Sequence, residues 1–128
     1  MKYAIGVDLG GTSIKYGLVD QDGKLVYENI MPTGADEGAE AVISRLISAV
    51  DEVQQQAKKN NILPVGTGIG TPGIVDRTNR IVLGGADNIV GWSQVALSDR
   101  MEEACHLPVV INNDANLMGL GEQARSEE

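Results

Sequence analysis

The stretch from Ile5 to Asp20, Ile-Gly-Val-Asp-Leu-Gly-Gly-Thr-Ser-Ile-Lys-Tyr-Gly-Leu-Val-Asp, constrains the chain more than any other. Two apolar runs flank a glycine pair, which reads as strand, very tight turn, strand. Glycine carries no Cβ penalty at positive φ, so Gly10 and Gly11 are expected to supply the turn. Without side chains in the way, the same two residues would present backbone N–H groups to an anion, and Thr12 adds a hydroxyl. Asp8, at the end of the first strand, is placed to hold a magnesium ion that neutralises such an anion. Lys15 puts a positive charge on the returning strand. A plain hairpin accounts for the glycines, but does not call for an acid just before the turn and a hydroxyl just after it. The pattern is not the lysine-bearing P-loop, in which a helix follows the glycines.

A chain of 128 residues is long enough for one domain with its own core. There is no Phe and a single Trp, so aliphatic side chains must fill most of that core. The net charge of -8 argues against a nucleic-acid surface, where phosphates are met by clustered Lys and Arg. It suits a small-molecule substrate. The single cysteine, Cys105, cannot form an internal disulfide, and no Cys/His cluster has metal-ligand spacing. A reducing, cytoplasmic setting is expected. No signal peptide is expected, since the first strand starts close to Met1, and no apolar run approaches membrane-spanning length.

Further along, Gln21-Asp22-Gly23 is a turn and Lys24 to Met31 alternates as a third strand, giving an antiparallel three-stranded meander. From Asp36 to about Lys59, apolar residues from Ala39 to Ala57 recur at three- and four-residue spacing and predict a long amphipathic helix lying on the sheet. Asn60-Asn61 stops it. Leu63 to Ile69 reads as a buried strand. Ile74 to Asp76 and Arg80 to Leu83 read as a smaller hairpin. A second helix is expected over Val95 to His106, with Val95, Leu97, Met101 and Ala104 inward and Ser98-Asp99 able to cap a later start. Val109 to Ile111 would be a short strand, buried on both faces if central. Another helix is expected from Ala115 to Arg125. This order implies an α/β domain, a mixed sheet with flanking helices.

Three strand ends then carry polar or glycine-rich loops: Gly10-Gly11-Thr12, Gly70-Thr71-Pro72-Gly73 and Asn112-Asn113-Asp114. In open α/β sheets ligands bind at strand ends, so a shared cleft is expected. Asp114 lies between a buried strand and a helix start. As an N-cap it satisfies orphan N–H groups; as a general base it accepts a proton from a hydroxyl attacking a phosphoryl group. Taken singly, the cap is the simpler account. Asn113 and Asn88 offer donor and acceptor together, which suits sugar hydroxyls, though both residues are also ordinary in turns. Gly73 would let a hydroxyl approach the backbone or simply complete a Pro-Gly turn. Trp92 is expected as a core anchor, and Cys105 and His106 as structural residues.

Four segments together, Ile5 to Lys15, Gly68 to Asp76, Asn88 to Trp92 and Val110 to Asn116, resemble the ROK family of sugar kinases and sugar-responsive repressors. The resemblance implies a ribonuclease H-like fold of the actin-like ATPase and hexokinase type, with two such domains around a cleft. It implies transfer of the γ-phosphate of ATP, with Mg²⁺, to a hexose hydroxyl, with glucose and its 6-hydroxyl first and an N-acylhexosamine (N-acetylmannosamine or N-acetylglucosamine) as the rival sugar. Asp114 matches the family's catalytic base and Asn113 a sugar ligand. Gly10, Gly11 and Thr12 match the phosphate turn, with Lys15 beside it, and Asp8 the acid near magnesium. Gly73 and Asn88 fall in segments lining the sugar pocket. Residues 1–128 then read as a single N-terminal domain. The resemblance implies a second domain, with any structural zinc, that is expected to be missing here, and the piece alone is expected to be inactive. The implied partners are hexose and ATP, with neither nucleic acid nor membrane and with a homodimer left open. A sugar-sensing repressor of the family is the third reading, ranked lower because the first strand begins at Lys2 with no helix-turn-helix before it.

Overall fold

The computed structural model describes residues 2–72, 74–76, 81–84, 89, 91–92 and 94–112. Strands β1 (Tyr3–Leu9), β2 (Ser13–Asp20) and β3 (Leu25–Pro32) form the expected antiparallel meander. The turn between β1 and β2 spans residues 10–12, and the register pairs Leu9 with Ile14. After β3 comes a single 3₁₀ turn, Ala35–Glu37, and then helix α1 (Ala39–Lys59). The helix starts three residues later than the expected Asp36, because Gly38 adopts φ 99 and cannot continue a right-handed turn. It ends at Asn60, and Asn61 takes the left-handed conformation that asparagine tolerates.

Strands β4 (Thr67–Gly70) and β7 (Val109–Asn112) extend the sheet on the other side of β1. The strand order is β3-β2-β1-β4-β7, antiparallel across the meander and parallel from β1 to β4 to β7. Parallel neighbours need a crossover, and helices supply both: α1 between β3 and β4, and α2 (Leu97–Cys105) before β7. Strands β5 (Ile74–Asp76) and β6 (Ile81–Gly84) pair separately as a two-stranded ribbon.

The core lies between the sheet and the helices. Ile5, Val7, Leu9, Ile14, Ile69 and Ile111 project from alternate strand positions onto Val42, Ile43, Leu46, Val50, Val53, Leu97 and Met101. Each such side chain, taken fully from water, contributes about 1.5–3 kcal/mol. Every residue of the expected apolar stripe of α1 faces this core or packs at its border. With no Phe, the largest side chain in the core beside Trp92 is Tyr16, which needs a partner for its hydroxyl.

Three expectations need correction. The strand expected from Leu63 begins at Thr67, and Leu63 and Val65 are 88% and 54% exposed. Pro64 offers no N–H for a ladder, and only Val65 and Gly66 bond back to β1 before the strand proper begins. Helix α2 starts at Leu97 without a side-chain cap, and the Ser98 hydroxyl is buried with no hydrogen-bond partner among the described residues. Ala104 is exposed while Cys105 is buried, so the inward stripe runs one step further round the helix than expected. Burial of β7 on both faces is expected only for a central strand; among the described residues β7 ends the sheet order, and Val110 is 53% exposed. The helix expected over Ala115 to Arg125 lies outside the described residues.

Candidate active site

The register of the parallel strands determines where the three loops emerge. Asp8 pairs with Gly70, and Gly70 pairs with Asn112, so β1, β4 and β7 finish level on one edge. The residue that continues from β4 is tied directly to β7: the Thr71 N–H donates to the Asn112 carbonyl at 2.8 Å. Three segments as far apart in the chain as Asp8 and Asn112 thus open onto a single edge, which is the ligand side of an open α/β sheet.

On this edge the turn after β1 is closed by the Gly10 N–H donating to the Ser13 carbonyl at 2.9 Å. The glycines do not work as expected. Positive φ occurs at Gly23, Gly34, Gly38 and Gly91, and neither Gly10 nor Gly11 is among them. Gly10 is required by proximity instead, since a Cβ there would stand 2.9 Å from the Ser13 carbonyl oxygen. Gly11 and Thr12 form the exposed tip. The turn therefore offers bare backbone and a hydroxyl outward, a surface that an anion can approach closely.

Asp8 and Lys15 are direct cross-strand partners, so their side chains leave the same face of the sheet, the face away from α1. Lys15 is exposed and Asp8 half-buried. Magnesium keeps several waters and takes one or two carboxylates together with phosphate oxygens, so a single acid beside a phosphate turn suits it. Among the described residues there is no group of three or more His, Cys, Asp or Glu that could hold a metal by themselves. Asn113, Asp114, Gly73 and Asn88, the expected sugar and base residues, lie outside the described residues. Asn112, which immediately precedes two of them, sits on the shared edge.

Two supporting groups were not foreseen. Trp92 is 2% exposed, as expected of an anchor, but its indole N–H donates to the Thr71 hydroxyl at 2.9 Å. It ties its own loop to the end of β4, and its N–H bonds to the Ile89 carbonyl at 3.2 Å. Thr33, fully buried, donates its hydroxyl to the Gly10 carbonyl at 2.8 Å and its N–H to the Thr12 carbonyl at 3.0 Å. A threonine just past a strand end carries no sequence signal for such a bond, because its partners lie twenty-odd residues away.

A three-stranded meander continued by parallel strands, with helices as crossovers and a glycine turn at the carboxyl edge, defines a ribonuclease H-like domain of the actin-like ATPase type. Within that fold the chain belongs to the ROK family, whose model matches residues 4–128. Its relatives include a glucokinase of Thermotoga maritima, 38% identical over 93% of this chain and 36% of that protein. A xylose repressor of Caldicellulosiruptor bescii is 31% identical over 93% of this chain and 29% of its own length. Among solved structures, a ROK family glucokinase from Streptomyces griseus in complex with glucose and AMPPNP superposes with a TM-score of 0.75 at 32% identity, over 89% of this chain and 34% of that one. The chain thus spans about a third of the length of the proteins it matches.

Proposed function

We propose that the chain forms the N-terminal lobe of an ATP-dependent hexose kinase that transfers the γ-phosphate to a sugar hydroxyl, with the 6-hydroxyl of glucose as the first candidate. The observation that carries this reading is the common edge of β1, β4 and β7, which gives the phosphate turn and the segment leading to Asp114 one opening. The similarity to glucokinases, one of them crystallised with glucose and a nucleotide analogue, supports the choice of substrates.

In this assignment Gly10, Gly11 and Thr12 receive the phosphates of ATP, Asp8 holds Mg²⁺ and Lys15 adds positive charge nearby. Bound Mg²⁺ supplies neutralisation of the charge that develops on the transferring group. Asn113, Asn88 and the Gly73 backbone orient the sugar. Asp114 accepts the proton of the attacking hydroxyl as its oxygen bonds to the γ-phosphorus and the bond to the β-phosphate oxygen breaks. Alignment does most of the work in such a transfer, and a second lobe closing the cleft keeps water from competing as acceptor. A carboxylate spent on capping the following helix would be a poorer base, so Asp114 must be turned toward the sugar to serve.

The test is a panel of hexoses and N-acylhexosamines with ATP on the full-length protein, beside Asp114→Asn. Phosphorylation of one sugar is expected, and the variant should keep sugar affinity within a few-fold while losing turnover by roughly a hundredfold or more. Unchanged turnover would leave Asp114 as a helix cap. The panel also separates glucose from N-acetylmannosamine and N-acetylglucosamine. The likeness to a xylose repressor favours one further reading, a sugar-sensing regulator, which predicts sugar binding with no phosphorylated product.

A further inference from the structure

We propose that Thr33 is a positioning residue that aims the phosphate turn, and that Arg45 of α1 holds Thr33 in place. This inference rests on the turn's role in binding ATP proposed above. Thr33 lies immediately after β3 and is fully buried, yet both polar groups it directs at the turn are used. Its hydroxyl donates to the Gly10 carbonyl at 2.8 Å and its N–H to the Thr12 carbonyl at 3.0 Å, so one residue grips the turn on both sides of Gly11.

The geometry of a trans peptide makes this grip directional. The carbonyl of Gly10 and the N–H of Gly11 belong to one plane and point in opposite senses. Drawing the Gly10 carbonyl inward onto Thr33 therefore turns the Gly11 N–H outward, to where a phosphate oxygen can meet it. A glycine-rich tip left to itself would sample many peptide orientations, and each would have to be frozen out on binding. Thr33 removes that freedom in advance.

Thr33 is itself fastened. Its carbonyl accepts from Arg45 Nη1 at 3.0 Å, and Arg45 Nη2 pairs with Glu37 Oε2 at 2.7 Å. The guanidinium reaches this position only because residue 34 is glycine. Gly34 has φ +64, and a Cβ there would lie 2.6 Å from Arg45 Nη1 and 2.5 Å from Glu37 Oε2. A chain of contacts thus runs from the first half of α1, through Arg45 and Thr33, to the Gly10–Gly11 peptide.

The test compares wild type, Thr33→Val and Thr33→Ser in the full-length protein, reading calorimetric affinity for AMPPNP with Mg²⁺, KM for ATP and sugar, and exchange without nucleotide of the Gly10 amide, which its bond to the Ser13 carbonyl protects. Valine keeps the shape and the N–H but removes the hydroxyl. It is expected to weaken AMPPNP binding and raise KM for ATP about tenfold, with the sugar KM within twofold and faster exchange at Gly10. Serine should restore nucleotide binding. A merely structural threonine would lower the melting temperature without separating ATP from sugar. Thr33→Val with wild-type affinity for AMPPNP would overturn the inference alone; failure of the wild type to bind nucleotide would remove the kinase reading as well. Should the valine variant not fold, half-buried Arg45→Gln carries the test, with a weaker shift in ATP affinity expected and none overturning the proposal.

Discussion

Gly10 shows how a residue's identity can be right for a reason that only the structure supplies. The turn before Thr12 uses no left-handed backbone, and its first glycine is demanded by the Ser13 carbonyl lying 2.9 Å from where a methyl group would go. Gly10→Ala is expected to force the turn open, costing about 1–3 kcal/mol of stability by overpacking. Affinity for AMPPNP should fall with it, which calorimetry beside a thermal melt would show. The types and spacing of Asp8, Gly10, Gly11, Thr12 and Lys15 were readable directly from the chain, because these residues are neighbours in sequence as well as in space. Thr33 and Thr71 were not, because their meaning comes from bonds to Gly10, Asn112 and Trp92 that only the folded sheet creates.

The seam between α1 and the meander carries a polar cluster within otherwise apolar packing. The Tyr16 hydroxyl donates to Glu52 Oε1 at 2.9 Å, and Asn29 Nδ2 donates to Glu52 Oε2 at 2.8 Å. Tyr27 donates to the same oxygen. Burial works against the charge on Glu52, but the hydrogen bonds from Tyr27, Asn29 and Tyr16 outweigh it and hold its carboxyl below its ordinary value. Burial, followed by the bond to Glu52, pushes the Tyr16 phenol up to about 12. A lowered carboxylate contributes stability that is present above the unfolded value of 4.5 and lost as pH falls through the folded one. A raised phenol contributes stability that is present below 10.0 and lost as pH rises toward 12. Stability should therefore fall at both ends of the scale. Glu52→Gln is expected to cost about 1–2 kcal/mol near neutrality and to flatten both limbs, as measured by urea denaturation at acid, neutral and alkaline pH. The amphipathic stripe of α1 was legible at single-residue level because a helix repeats its face many times over. The stretch from Leu63 to Ile69 misled because a short apolar run with β-branched residues looks alike whether it pairs or lies exposed, and only the position of β1 decides which part of it can join a ladder.

For the molecule as a whole, the proposed kinase reading makes this chain one lobe, which would present the phosphate turn and Asp114 without closing a cleft over them. The chain spans about a third of its relatives, 36% of the Thermotoga maritima glucokinase. Phosphoryl transfer depends on clamping both substrates and excluding water. Residues 1–128 by themselves are therefore expected to show no hexose-dependent ATP turnover in a coupled assay, while the full-length protein does. Turnover by the isolated piece would place the whole reaction on this lobe. The order βββαβ with later helix and strand pointed to the mixed sheet from the start, since hairpins join neighbours and helices must bridge parallel strands. The level ends of β1, β4 and β7 were beyond reach, because nothing local records the register of strands forty or more residues apart.

The placement of β7 at the end of the strand order also bears on how the protein comes into being. As the ribosome delivers the chain, the meander and α1 are complete by residue 59 and their contacts are mostly between close neighbours, the kind that form quickly. The shared edge must wait for Val109 to Asn112 to dock beside β4. A nascent chain would carry a settled half-core, with the turn of residues 10–12 already in it, long before its edge was complete, so a ligand spanning that edge could steer only the docking of β7.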